Sequence, residues 1–244
     1  MNTPVIFIHG LIGTLDVIDF DYTHASPDLL GYGADSTAPS HSISLNAQVE
    51  NVRVFIDRHF DGRSVHVVGH SVGGAIAMLL AHAHPEYVRK IVNVEGNFTL
   101  EDAFWSASVG RMTSAEADAM LKGFREDPVA WLSGAVVKPT EKMYETAVRW
   151  LGYQPASTLR AMGQSIVATT GNIDYLAAVK SVFERHAVYL IAGERSRGDW
   201  NVPEWALEKC ADYQTIRQCG HLMMLEDPEA FSATVKQCLF MSNS

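Results

Sequence analysis

The stretch Val65-His-Val-Val-Gly-His-Ser-Val-Gly-Gly74 decides the fold of this 244-residue chain. An apolar, β-branched run at residues 65–68 predicts a strand, and an Ala-rich helical segment follows the turn. Gly69 and Gly73 flank Ser71, as a sharp strand-to-helix turn requires, because a β-carbon at either glycine would clash with nearby backbone. Such a turn holds the serine hydroxyl above the end of the strand. Ser71 is therefore the candidate nucleophile.

A nucleotide-binding turn uses the same order of strand, glycines and helix. A Gly-x-Gly-x-x-Gly motif starting at Gly69 needs glycine at positions 71 and 74, and position 71 is Ser71. The chain also has no Gly-Lys-Ser/Thr of a phosphate loop. The residue identities favour a serine nucleophile over a nucleotide site.

Further short apolar runs predict strands at residues 5–8, 91–94, 188–192 and 213–217. Helical patterns lie between them, and Ser44 and Asp227 are predicted helix N-caps. Strands that alternate with helices predict an α/β fold with a mostly parallel sheet, here of about six strands. Such sheets place their sites beyond the C-terminal ends of the strands.

The alternation stops between about residues 98 and 183, where helical patterns follow one another. We therefore expect an α/β core of residues 1–97 and 184–244, with residues 98–183 inserted as a helical cap. Thr113 and Glu116 in this stretch resemble a capping box. The cap carries Trp105, Trp131 and Trp150 among many apolar residues, which suits a roof over an apolar pocket.

A serine hydroxyl needs a base to take its proton as it attacks. Ten histidines compete for this role. His221 stands apart because it follows the last predicted strand and precedes the closing helix, in the motif that begins Gly220-His221. A loop there lies at the same edge of the sheet as Ser71. His221 is the predicted general base, and no catalytic role is assigned to His9 or His70.

Together these motifs resemble the α/β-hydrolase superfamily. They occur in the family's order: His9-Gly10, Pro27-Asp-Leu-Leu-Gly-Tyr-Gly33, Gly69-His-Ser-Val-Gly-Gly74 and Gly220-His221. The resemblance covers nearly the whole chain outside the cap. It implies that the backbone N–H groups of Leu11 and Val72 form the oxyanion hole. Most members carry two strands before the one that ends at His9-Gly10, so we expect a sheet shortened at its N-terminal side.

The acidic partner of His221 is the open question in the sequence. The family's usual position is Gly-x-x-Asp, but Gly193 is followed by Glu194, Arg195 and Ser196. Glu95 is favoured, because it ends the strand at residues 91–94, where some members of the superfamily keep their acid. Asp199 is the alternative if the loop is longer than usual. Glu194, or no acid at all, completes the choices.

Composition excludes several other classes of protein. A net charge of −9 without a Lys/Arg run argues against nucleic-acid binding. Three cysteines without metal-like spacing predict neither a disulfide framework nor a zinc site. No apolar run approaches the roughly 20 residues of a membrane span, and the N-terminus leads directly into a strand, so a cytoplasmic location is expected. The sequence does not indicate an oligomeric state.

The function expected from these features is hydrolysis of a carboxylic ester or thioester through an acyl-serine intermediate. The apolar cap favours a small-molecule substrate with a hydrophobic acyl or aromatic part. No metal or organic cofactor is implied, because the nucleophile, the base and the oxyanion donors complete the chemistry. The alternatives are carbon–carbon bond hydrolysis, acyl transfer or a lyase step on the same fold, and a ligand receptor without catalysis.

Overall fold

The computed structural model describes residues 3–241 and is built around one parallel sheet. The six strands are β1 (Val5–Ile8), β2 (His24–Ala25), β3 (Val65–His70), β4 (Val88–Val94), β5 (Ala187–Gly193) and β6 (Asp212–Ile216). Their order is β2-β1-β3-β4-β5-β6, and every neighbouring pair is parallel. The predicted α/β fold with a mostly parallel sheet of about six strands is confirmed.

The sequence patterns missed one strand, β2. It has only two residues, which pair with Val5 and Ile6 at the edge of the sheet. Two residues are too few to form an apolar run or an alternating pattern. β2 is therefore defined by its pairing with β1 rather than by its own composition.

Of the α-helices in the described residues, six lie between β4 and β5 in the chain and five lie elsewhere. In chain order they are α1 (Leu45–Phe60), α2 (Val72–Ala83), α3 (Phe104–Arg111), α4 (Ser114–Glu126), α5 (Pro128–Ser133), α6 (Glu141–Gly152), α7 (Ala156–Thr170), α8 (Ile173–Arg185), α9 (Glu204–Lys209), α10 (Met223–Glu226) and α11 (Pro228–Phe240). The predicted N-caps are confirmed: Ser44 accepts from Ala47 N, and Asp227 accepts from Ala230 N.

Six helices, α3 to α8, follow one another between β4 and β5. The predicted capping box at Thr113 and Glu116 is confirmed at the start of α4. The backbones of helices α3 and α7 are in direct contact at two glycines. A β-carbon at Gly110 would collide with Gly163, and one at Gly163 would collide with Ser106. Helix α8 packs against α2 and α9.

Both faces of the sheet are covered by apolar clusters. Along β1, Ile6 and Ile8 join the cluster that contains α1 and α2, whereas Val5 and Phe7 join the one that contains α11. This alternation follows from the period of two in a strand. A sheet buried on both faces leaves its C-terminal edge as the place where polar loops meet.

Among residues 3–241, no helix combines the length and the apolar character needed to cross a lipid bilayer.

Candidate active site

The turn between β3 and α2 holds Ser71 in an unusual backbone conformation. Ser71 has φ 55° and ψ −123°, and its N–H donates to the carbonyl of Val94 at 2.9 Å. A β-carbon at Gly69 would collide with Gly73, and one at Gly73 would collide with the carbonyl of Ile8. A non-glycine residue at such a φ is strained and persists only where the surroundings enforce it. Packed backbone on both sides of Ser71 supplies that constraint.

His221 lies in the loop between β6 and α10, and its ring contacts a carboxylate. Its Nδ1 is 2.6 Å from Oε2 of Glu95. The Glu95 side chain is only 4% exposed, whereas that of His221 is 45% exposed. Because an ionised carboxylate only accepts hydrogen bonds, this contact favours a proton on Nδ1 and leaves Nε2 free to accept one.

Glu95 is held by donors from the end of the neighbouring strand β5. Its Oε1 accepts from the backbone N–H of Gly193 at 2.8 Å and from the hydroxyl of Ser196 at 2.6 Å. Ser196 occupies the last position of the Gly-x-x-Asp pattern that starts at Gly193. The carboxylate therefore comes from the end of β4, and a hydroxyl stands where the family's usual aspartate would stand.

The two other carboxylates considered as the acid lie elsewhere. Asp199 is exposed at the end of a short 3-10 turn, Arg197–Asp199. Glu194 is also exposed, and its Oε2 accepts from the backbone N–H of Gln218 at 2.8 Å. Within the described part of the chain, His221 hydrogen-bonds to Glu95 and to neither of these two.

An ion pair braces the loop that carries His221. Arg195 binds Glu226 through two guanidinium nitrogens, and it also donates to the carbonyl of Gln218 at 2.6 Å. Glu226 accepts from the backbone N–H of Gly220 at 2.7 Å. The backbone on the N-terminal side of His221 is thus tied to charged side chains rather than left to solvent.

Leu11 and Val72, the predicted oxyanion donors, both belong to segments that adjoin Ser71. Val72 is the first residue of α2, so its N–H has no acceptor inside the helix. Leu11 follows Gly10, where a β-carbon would lie 3.1 Å from Cβ of Ser71. The Gly10 carbonyl, which belongs to the same peptide unit as the Leu11 N–H, is 2.8 Å from Nδ1 of His9. Leu11 and Ser71 follow β1 and β3, the neighbouring strands at which the strand order reverses.

Burial favours the neutral form of His9 and His70, which lie at the ends of β1 and β3. It lowers the pKa of His9 to about 4, although the hydrogen bond to Gly10 opposes the shift. Burial also lowers the pKa of His70 well below 6.5, and the nearby His221 adds to that shift. Nε2 of His70 lies 3.0 Å from the backbone carbonyl of His221. The contacts of His70 and Ser196 were not predicted from the sequence, although His70 directly precedes Ser71 and Ser196 ends the Gly-x-x-Asp pattern.

Within residues 3–241, no three His, Cys, Asp or Glu side chains gather closely enough to hold a metal ion.

A family model described as the alpha/beta hydrolase family matches residues 5–234. The chain belongs to the alpha/beta hydrolase family. This match confirms the resemblance that the four sequence motifs indicated. The sheet of this α/β hydrolase also has the parallel topology expected of the family.

Named relatives resemble part of this α/β hydrolase. Lipase LipV of Mycobacterium tuberculosis is 42% identical over 97 residues, which cover 40% of this chain and 33% of the lipase. Human protein ABHD8 is 34% identical over 117 residues, which cover 43% of this chain and 26% of ABHD8. The match thus spans about a quarter to a third of these two curated relatives.

The whole fold is similar to that of a thermophilic esterase from Thermogutta terrifontis. The TM-score is 0.69 at 16% sequence identity, and the match covers 97% of this chain and 89% of the esterase. At that identity the likeness describes the fold alone.

Proposed function

We propose that this α/β hydrolase cleaves carboxylic esters or thioesters through an acyl intermediate on Ser71. The observation that carries the proposal is the hydrogen bond between the buried Glu95 and His221, at the edge of the sheet where the strained Ser71 turn lies. The relative named as a lipase supports ester hydrolysis as the reaction class.

In the first half of the reaction, Nε2 of His221 takes the proton of Ser71 Oγ as that oxygen attacks the substrate carbonyl. The carbonyl oxygen becomes an oxyanion, and the N–H groups of Leu11 and Val72 donate to it. Glu95 accepts the Nδ1 proton of His221 and offsets the charge of the imidazolium. His221 then protonates the leaving alcohol or thiol, and the acyl group remains on Ser71.

In the second half, water replaces the leaving group. His221 takes a proton from the water, hydroxide attacks the acyl carbonyl, and the same N–H groups stabilise the second oxyanion. Collapse of this intermediate releases the carboxylic acid, and His221 returns the proton to Ser71. The two steps use the same residues, so no further reactant beyond water is needed.

The inserted residues 98–183 are proposed as a cap over this site, which favours a hydrophobic acyl or aromatic part in the substrate. The ring of Trp150, on α6, packs so closely on Gly13 that a β-carbon there would collide with it. Trp150 Nε1 also donates to the Thr14 hydroxyl at 3.0 Å. Gly13 and Thr14 belong to the loop that carries Leu11, so the insertion contacts the loop that bears a proposed oxyanion donor.

Chromogenic esters and thioesters of graded acyl chain length test this proposal. We expect turnover by the wild-type chain, and we expect Ser71→Ala to lose about 10³-fold or more in kcat, because the covalent route is lost. A fluorophosphonate should form an adduct on Ser71 that mass spectrometry locates. Ser64→Ala, which changes a serine just before the same strand, is the matched control and should keep wild-type turnover.

Two results would contradict the proposal in different ways. Equal turnover by Ser71→Ala and wild type would exclude Ser71 as the nucleophile. Labelling of Ser71 without hydrolysis of any ester or thioester would keep the nucleophile but move the reaction to carbon–carbon bond hydrolysis, acyl transfer or a lyase step.

A further inference from the structure

His70 is the last residue of β3 and is wedged between three parts of the site. It directly precedes Ser71, and its ring packs against that of His221 with centroids 4.5 Å apart and planes tilted by 42°. On its other side, a β-carbon at Gly10 would lie 3.1 Å from Nδ1 of His70. The residue is only 7% exposed. His70 therefore adjoins three segments: the turn at Ser71 (the nucleophile turn), the loop that carries Gly10 and Leu11, and the loop between β6 and α10 that carries His221 (the base loop).

The hydrogen bond of His70 has one possible direction. A backbone carbonyl only accepts, so at 3.0 Å from the carbonyl of His221 the Nε2 of His70 must carry the proton. The lowered pKa of the buried ring agrees with a neutral imidazole that has this single N–H. A neutral ring also adds no repulsion when His221 becomes an imidazolium during the reaction.

Several other hydrogen bonds hold the base loop, among them the one from Gln218 N–H to Glu194, and within the described residues none of them joins it to the Ser71 turn. Glu95 holds the ring of His221 from the end of β4. Arg195 and Glu226 hold the backbone at Gln218 and Gly220. Within the described residues, the hydrogen bond from His70 is what connects the loop to the residue beside Ser71.

We propose that His70 is a positioning residue, whose Nε2–H anchors the backbone of His221 to the nucleophile turn and so sets the distance between His221 Nε2 and Ser71 Oγ. The inference rests on the roles proposed above for Ser71 and His221. The hydrogen bond of His70 goes to the backbone of His221 rather than to Ser71 Oγ or to the His221 ring. A misplacement of about 1 Å in an active site can cost about 100-fold in rate. Loss of this anchor should therefore lower kcat and leave KM nearly unchanged.

The test compares His70→Leu with His70→Gln, because the amide nitrogen of glutamine extends about as far as Nε2 of histidine and keeps a donor there. We expect His70→Leu to lower kcat for a chromogenic ester by about 10- to 100-fold, with KM within about three-fold of wild type. His70→Gln should recover most of that loss. If His70→Leu does not fold, as judged by thermal melting, His70→Phe replaces it, since the phenyl ring fills the space without a donor.

His66→Leu is the matched control. His66 lies four positions earlier on the same strand, is 6% exposed and has a pKa lowered to about 4 by burial. Its ring packs against Phe240, which is the last residue of α11. Both variants thus lose a buried, neutral histidine from β3. Of these two histidines, only His70 contacts the base loop. We expect kcat of His66→Leu to stay within about two-fold of wild type.

A second measurement is independent of turnover. The proton between His221 and Glu95 should give a low-field signal in the proton NMR spectrum, because the hydrogen bond is short and charge-assisted. This signal should broaden or disappear in His70→Leu and return in His70→Gln.

Equal kcat in wild type and His70→Leu, equal loss in the Leu and Gln variants, or an equal loss in His66→Leu would each overturn the positioning role. If wild type fails to hydrolyse any ester or thioester, the proposed function is wrong, and the NMR signal alone decides the role of His70: an unchanged signal in His70→Leu overturns it.

Discussion

Replacing Glu95 by glutamine keeps the size of the side chain but removes its charge and one of its acceptors. In the wild-type chain, Oε1 accepts from Gly193 and Ser196 while Oε2 faces Nδ1 of His221. A glutamine with its oxygen toward Gly193 turns an NH₂ donor toward Nδ1. His221 can then meet it only with Nδ1 unprotonated, which moves the proton to Nε2 and removes the lone pair that must accept the Ser71 proton.

The opposite orientation of the glutamine amide also leaves an unsatisfied contact. With its oxygen toward His221, the NH₂ group faces the N–H of Gly193 at hydrogen-bond distance, donor against donor. Glu95 is buried, so water cannot relieve that conflict cheaply. In either orientation the imidazolium formed during the reaction also loses its opposite charge.

In the Ser-His-Asp proteases, the aspartate-to-asparagine change lowers kcat by about 10⁴-fold through the wrong tautomer. We expect Glu95→Gln to lose about 10³- to 10⁴-fold in kcat, which corresponds to about 4 to 5.5 kcal/mol of activation free energy. KM should stay within about three-fold, because Glu95 is buried behind His221.

Steady-state kinetics on a chromogenic ester measure this loss, with thermal melting to verify that the variant folds. Asp199→Asn, which changes the alternative acid in the same chemical way, should keep kcat within about two-fold of wild type. Turnover of Glu95→Gln within a few-fold of wild type, together with a loss of orders of magnitude in Asp199→Asn, would exclude Glu95 as the acid and assign that role to Asp199.

Two further predictions concern Ser196 and His66. Ser196→Ala removes one of two hydrogen bonds to Oε1 of Glu95, so kcat should fall by about 3- to 30-fold with KM unchanged; a wild-type kcat would show that the Gly193 N–H alone suffices. The pKa of His66 is lowered to about 4, so below pH 6.5 the unfolded chain gains a proton there that the folded chain does not, and stability is lost as the pH falls toward 4. Between pH 7 and pH 5, urea unfolding of wild type should lose about 2 kcal/mol more than that of His66→Leu; parallel losses would exclude a lowered pKa at His66.

The site was only partly accessible to sequence reasoning. Ser71 and His221 could be chosen because each follows a predicted strand and therefore lies at the same edge of the sheet. Their catalytic roles, like those of Leu11 and Val72, stay predictions until the variants are measured. The acid could not be decided from sequence, because Glu95 lies 126 positions from His221 and three carboxylates fitted the pattern.

The sequence by itself determined the features that rest on local sterics and periodicity. The strand, the turn around Ser71 and the helix follow from Gly69, Gly73 and the apolar run before them, because the clash that selects glycine at position 69 involves backbone only four residues away. Helix caps at Ser44 and Asp227 are equally local, since each side chain bonds an N–H three residues away.

Only the tertiary structure decided which distant groups meet. The parallel register of β3, β4 and β5 brings the strand ends at Ser71, Glu95 and Gly193 side by side, and it leaves Asp199 in an exposed turn. The same register pairs Ser196 with Glu95 and lets His70 reach the base loop. No local pattern encodes these contacts, because they depend on how strands far apart in the chain are ordered and aligned.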